Sequence, residues 1–232
     1  MDEVHLWSIP LVGDAVLLQR EWELLDEQER ARAERFHFER DRNRFVLAHA
    51  GLRRILSQYV RTSPASIRFE LGPYGKPELA VNVAEQPWRF NLSHAHELGL
   101  CAVRRGGRVG VDVEQVRAEA WESVSIAQQF FTAGETALVL AALEETRAET
   151  FLKLWTRKEA YLKGHGKGLS MPLNEFAVSL EETCIRYPLE KGGEERNWSV
   201  HELHPAEGYI GAVALEGAGE FAFVEKRLEP GG

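Results

Sequence analysis

The sequence predicts an α+β fold built from two similar halves, residues 1–106 and 107–232. Three observations lead there. Strand-like and helix-like segments come in two successive groups along the chain. RFVLAHAGLRRIL from Arg44 and TFLKLWTRKEAYL from Thr150 share a phenylalanine and a similar apolar register. The turn Arg105-Gly106-Gly107 separates the two groups.

In chain order, residues 3–9 alternate as VHLWSIP and predict a first strand. Residues 21–35 predict a charged helix. A second helix follows Asp41, with Phe45, Leu47, Ala48, Leu52, Ile55, Leu56 and Tyr59 at helical spacing, and Ser63-Pro64 ends it. Ile67 to Leu71 predicts a short strand, closed by the Gly75-Lys76-Pro77 turn. Arg89–Ser93, Leu98–Arg104 and Arg108–Glu114 predict three more strands. The second group predicts helices near 121–130, 133–144 and 148–164. Strands follow near 175–180, 184–188, 198–203, 209–215 and 220–225, with a frayed tail at Pro230, Gly231 and Gly232.

The 232 residues suffice for a substantial core. No apolar run approaches the roughly 18 residues of a membrane span. The start, MDEVHLWSIP, lacks signal-peptide features, which predicts a cytoplasmic protein. Cys101 and Cys184 lie in strand-like stretches and predict buried, reduced thiols. A net charge of -8 argues against general nucleic-acid binding. Against that balance, Arg30, Arg32, Arg35, Arg40, Arg42 and Arg44 crowd one segment. They form either a solvated surface or a local site for an anionic small molecule.

The chemistry concentrates in WTRKEAYLKGHGKGL, Trp155 to Leu169. Leu154, Trp155 and Leu162 mark a buried helix face, and Lys158 and Glu159 fall within that register. A carboxylate there needs a cation, metal or donor. Lys163 lies four residues on; taken alone, the pair is a surface ion pair worth about 0.2–0.5 kcal/mol. Gly164, Gly166 and Gly168 end the helix. In RVGVDVE, Val109, Val111 and Val113 face one side of a strand while Asp112 and Glu114 face the other with Gly110. Two carboxylates on one strand face suit a hard divalent ion, and Glu159 supplies a third oxygen ligand from the facing helix. FNLSH ends a strand with Phe90 and Leu92 on the core side, leaving Ser93 and His94 at the loop mouth as candidate phosphate contacts.

GKP (75–77), FNLSHA (90–95), GVDVE (110–114) and WTRKEAYLKGHGKGLSMP (155–172) occur in the order and spacing of the phosphopantetheinyl transferases of the surfactin-synthetase-activating type, which this chain resembles over most of residues 30–172. FHFERDRNR from Phe36 matches that family's early helix more loosely. The resemblance implies a pseudo-twofold α+β fold with coenzyme A in the cleft between the halves. It implies Mg²⁺ on Asp112, Glu114 and Glu159, and nucleotide and phosphate contacts from Arg44, Gly75, Lys76, Ser93 and His94. Lys163 would meet the leaving phosphate, and Glu159 would act as base toward a carrier serine. Phe45 departs from the pattern, where family members can carry a small hydroxyl residue. An upstream basic contact falls near Glu29, leaving Arg32 or Arg35 to serve. The implied reaction is Mg²⁺-dependent transfer of the phosphopantetheine arm of coenzyme A to a serine of an acyl or peptidyl carrier protein, releasing 3′,5′-ADP. The carrier would be met by Trp121, Val124, Ile126, Phe130 or Phe131, and the protein is expected to be a monomer without nucleic-acid or membrane partners. A metal-dependent nuclease and a non-catalytic coenzyme A- or carrier-binding module are the alternatives.

Overall fold

Two sheets are stacked face to face, and each is covered on its outer side by a 22-residue helix. This computed structural model describes residues 2–80, 87–116, 123–166, 171–183, 185–186, 198–217, 219–229 and 231. Cys184 and Trp121, and Gly168 of the glycine series, lie outside the described residues.

The first group of elements is β1 (Asp2–Pro10), α1 (Ala15–Leu24), α2 (Glu27–Ala33), α3 (Glu39–Val60), β2 (Phe69–Leu71), β3 (Pro77–Leu79), β4 (Trp88–Ala95) and β5 (Leu98–Arg105). The second is β6 (Val109–Gln115), α4 (Ser123–Phe130), α5 (Ala133–Ala141), α6 (Glu144–His165), β7 (Ala177–Val178), β8 (Ile185–Arg186), β9 (Trp198–Leu203), β10 (Tyr209–Glu216) and β11 (Phe221–Arg227). The fold is mixed α+β.

The sheets follow from alternation. Val4 and Leu6 of β1 join Val109, Val111 and Val113 of β6 in the core between the sheets, while Trp7 and Ile9 turn to the opposite face beneath α3. Each such side chain contributes roughly 1.5–3 kcal/mol by leaving water. Helix α6 covers the second sheet with Leu154, Ala160, Tyr161 and Leu162.

Four sequence expectations change. Residues 21–35 form no single helix, because Asp14 and Asp26 each cap a new one; Asp26 makes a capping box with Glu29. Strand β11 does not stay with the second group's sheet. It pairs in parallel with β1, Asp2 opposite Phe221 through Ser8 opposite Arg227, giving the order β11-β1-β5-β4 beside β6-β10-β9. Of the tail, Pro230 and Gly232 lie outside the described residues, and Gly231 is held: its carbonyl accepts from Arg20 Nη2 at 3.1 Å. Ser93 and His94 sit within β4 rather than at a loop mouth.

Candidate active site

The site forms where the edge of the first sheet meets the edge of the second. Asn91 Oδ1 on β4 accepts from the Val111 backbone amide on β6 at 2.8 Å, so a side chain joins two strands that share no ladder. This brings Ser93 opposite Asp112. Both are buried, at 6% and 3% exposure.

Helix α6 supplies the other wall. It approaches β6 through Gly110 and Gly164. A Cβ on Gly110 would lie 2.0 Å from the Ala160 carbonyl oxygen and 2.1 Å from the Gly164 nitrogen. Only glycine admits this contact, and it sets Lys163 above Asp112. Lys163 Nζ donates to Asp112 Oδ1 at 2.6 Å and to Ser93 Oγ at 2.9 Å, and Ser93 Oγ donates to the same carboxylate oxygen at 2.9 Å. The helix ends at Gly166, in the left-handed region at φ +80°, with its N–H on the Leu162 carbonyl.

Asp112 Oδ2 is buried and makes no hydrogen bond. Half-buried Glu159 has its carboxyl pushed above the ordinary value by burial and then by the charge of Asp112, with Lys163 opposing. The open Asp112 oxygen has room for a donor or cation, and the raised Glu159 carboxyl favours its protonated form until positive charge arrives. Glu114 lies two residues beyond Asp112 on the same strand. Among the described residues no three acidic, histidine or cysteine side chains are gathered closely enough to hold a metal ion. Lys163 supplies the cation at Asp112 instead, so its principal partner is 51 residues away rather than four.

The chain's likenesses to known proteins show its family. Residues 16–105 match the family described as 4'-phosphopantetheinyl transferase, N-terminal, and residues 108–214 the 4'-phosphopantetheinyl transferase superfamily. The 4'-phosphopantetheinyl transferase HetI of Nostoc sp. is 38% identical over 94% of this chain and 90% of its own length. This chain belongs to the 4'-phosphopantetheinyl transferases. A putative transferase of Synechocystis sp. is 33% identical over 86% of this chain and 79% of its own. The transferase Sfp of Bacillus subtilis is 30% identical over 71% and 70%. A solved Thermotoga maritima holo-[acyl-carrier-protein] synthase overlaps 48% of this chain and 64% of its own at 21% identity and a TM-score of 0.36, too partial to add to the assignment.

In this phosphopantetheinyl transferase a basic cluster stands beside the acidic seam. His94 lies on the β4 face opposite Ser93, open to solvent on one side while protein encloses its ring on the others. The surrounding walls, and then the nearby basic groups His49, Lys163, Arg32 and Arg44, push its pKa down to about 4. Arg44 is largely covered, its Nη1 3.7 Å from Asp41 Oδ1. Phe45 is a core residue at 1% exposure. It stacks on His49 with centroids 3.9 Å apart, and the Arg32 guanidinium lies 5.2 Å over its ring. Arg32 is therefore the upstream arginine held near the cluster. Glu29 is committed inside the fold, accepting from Arg53 Nε at 2.7 Å and pairing with His49 Nδ1 at 2.9 Å. Nothing in the local sequence pattern marked His49 for this position.

Gly75 takes φ +83° in the β2–β3 turn, where a Cβ would meet nothing within 4 Å. It shapes the turn that carries Lys76. Lys76 Nζ donates to the Val109 carbonyl at 2.7 Å, and burial lowers its pKa to about 8. A cavity of about 290 Å³ beside this turn is lined by Tyr74, Lys76, Trp88, Arg89, Phe90 and Arg108, among others. On the far side of α6, Lys158 is fully buried. It pairs with Glu135 at 2.8 Å and donates to the Leu173 and Phe176 carbonyls, so it serves the fold rather than the cleft. Of the apolar residues considered for a carrier, Phe131 is core, Val124 and Ile126 pack against the same cluster, and Phe130 is 42% exposed.

Proposed function

We propose that this transferase moves the phosphopantetheine arm of coenzyme A onto a serine of an acyl or peptidyl carrier protein, in a Mg²⁺-dependent reaction that releases 3′,5′-ADP. The observation that supports this most is the Asp112–Lys163–Ser93 knot beside Glu159, with one buried Asp112 oxygen left without a donor. Asp112, with that open oxygen, and Glu114 and Glu159 are the residues that would hold Mg²⁺, which takes carboxylate oxygens and water; as they stand they are not gathered around one point, and the last two would have to close on Asp112 to share the ion. Mg²⁺ bound there would neutralise charge on the pyrophosphate and on the departing phosphate.

The chain's own groups account for the remaining roles. The carrier serine oxygen forms a bond to the phosphorus nearer the pantetheine arm, and the pyrophosphate bridge to that phosphorus breaks. The serine proton passes to Glu159, directly or through water; its raised proton affinity suits a general base. The departing electron pair stays on the 5′-phosphate of 3′,5′-ADP, next to the Lys163 ammonium. Ser93 supplies a hydroxyl to a phosphate oxygen once Lys163 and Asp112 release it. His94, Arg44 and Arg32 offer positive charge to the second anionic group of coenzyme A, its 3′-phosphate.

The test is chromatographic. Incubated with coenzyme A, Mg²⁺ and an apo carrier, the enzyme should release 3′,5′-ADP in step with carrier modification, and chelation should stop both. Release of 3′,5′-ADP without modified carrier would make it a hydrolase. Undiminished turnover in excess chelator would remove the metal.

A further inference from the structure

The ammonium of Lys76 is engaged inside the protein. It donates to the Val109 carbonyl at 2.7 Å and reaches the Gly164 carbonyl at 3.4 Å. These acceptors belong to different elements. Val109 opens β6 and immediately precedes Gly110. Gly164 lies in the last turn of α6, where carbonyls lack intrahelical donors and the helix end is negative. One cation from the β2–β3 turn thus bridges strand and helix at their point of closest approach. Its stem runs beside the helix cap, since a Cβ on Gly166 would lie 3.7 Å from Lys76 Cδ. Three residues along β6 from Val109 is Asp112, and one residue back along α6 from Gly164 is Lys163.

We infer that Lys76 is a positioning residue: it pins the C-terminal end of α6 to β6 and so sets Lys163 and Glu159 against Asp112. This rests on the transferase reading above. It differs from a phosphate-binding role in what Lys76 should control, which is the rate of transfer and not the hold on coenzyme A.

Wild type, Lys76→Ala and Lys76→Met are compared, the methionine keeping the apolar stem should alanine fail to fold. Three quantities are measured: transfer to an apo carrier at saturating coenzyme A, coenzyme A affinity by calorimetry, and hydrogen–deuterium exchange across residues 155–166. Because a misplaced catalytic group costs rate, kcat should fall about tenfold or more while the Kd for coenzyme A changes less than about threefold. Exchange at the end of α6 should accelerate. A Kd weakened about tenfold with kcat at saturation preserved would overturn the inference and return Lys76 to phosphate binding. Unchanged protection at the end of α6 would overturn it as well. A wild type that binds coenzyme A but transfers nothing would instead sink the transferase reading, and the exchange comparison would still decide the role of Lys76.

Discussion

Gly110 and Gly164 touch backbone to backbone: an added Cβ at Gly110 would come within 2.1 Å of the Gly164 nitrogen. The proposed catalytic seam depends on this approach, because Lys163 and Glu159 ride on the helix and Asp112 on the strand. Gly110→Ala must push α6 away. The atoms it strikes are backbone and cannot rotate aside, so the cost should reach or exceed the upper end of the roughly 1–3 kcal/mol usual for overpacking. Thermal melting should show a clear drop in Tm, and any folded fraction should lose most of its transfer activity. A variant with wild-type Tm and kcat would mean that the contact does not position the site.

Glu159→Gln should separate stability from activity. The folded-state pKa of Glu159 is raised, by burial first and by Asp112 second, with Lys163 opposing. A group of this sign stabilises the fold while protonated, below its unfolded value, and that contribution is lost as pH rises through the folded value. At neutral pH the metal-free wild type therefore carries a cost that glutamine avoids. The chelated variant should melt no lower than wild type at pH 7, with the difference closing as the pH approaches the unfolded value of 4.5. A lower Tm for the variant at pH 7 would show that Lys163 outweighs burial and the Asp112 charge.

His94 should make coenzyme A affinity depend on pH. In the free enzyme the surrounding walls and the neighbouring cations hold it neutral, with a pKa of about 4. An anion arriving among Arg32, Arg44 and His94 offsets those cations and raises that value, so binding takes up a proton. The Kd should tighten as pH falls from about 8 to 6, and His94→Gln should flatten the slope. Calorimetry across that range checks it. A mutant with the wild-type slope would place the proton on another group.

Phe130 is the described member of the apolar set that remains open to solvent. Phe130→Ser should cost little stability, within about 0.5 kcal/mol for an exposed position. If the carrier docks there, its KM should rise about tenfold, as expected when an apolar anchor is lost, while coenzyme A binding stays as it was. Paired melting and kinetics decide: an unchanged carrier KM in a folded variant places the docking surface elsewhere.

Much of the site was legible because its residues fall in short, locally periodic segments. The alternation of RVGVDVE assigns Asp112 and Glu114 to one strand face without knowledge of the partner strands, and the helical register around Trp155 carries Glu159 and Lys163 together. Pairings across long separations were not legible. Lys158 shares that register, yet its partner Glu135 lies on another helix and its other acceptors on a later turn. Lys163 bonds to Asp112 on a strand 51 residues earlier, a partner that its four-residue spacing from Glu159 did not reveal. Parallel pairing of β11 with β1 joins the two ends of the chain and leaves no local trace, since either strand's alternation fits several neighbours. Phe45 stood out as a departure from the family pattern, but only packing explains it. Its ring is the platform for Arg32 and His49.

The most direct test of the central claim is the intact mass of an apo carrier after incubation with coenzyme A and Mg²⁺, using wild type and folded Glu159→Gln side by side. Wild type should add one phosphopantetheine to each carrier chain, and the variant should add none over the same period. Equal modification by both enzymes would contradict the account, because the transfer would then proceed without the carboxylate around which the seam is built.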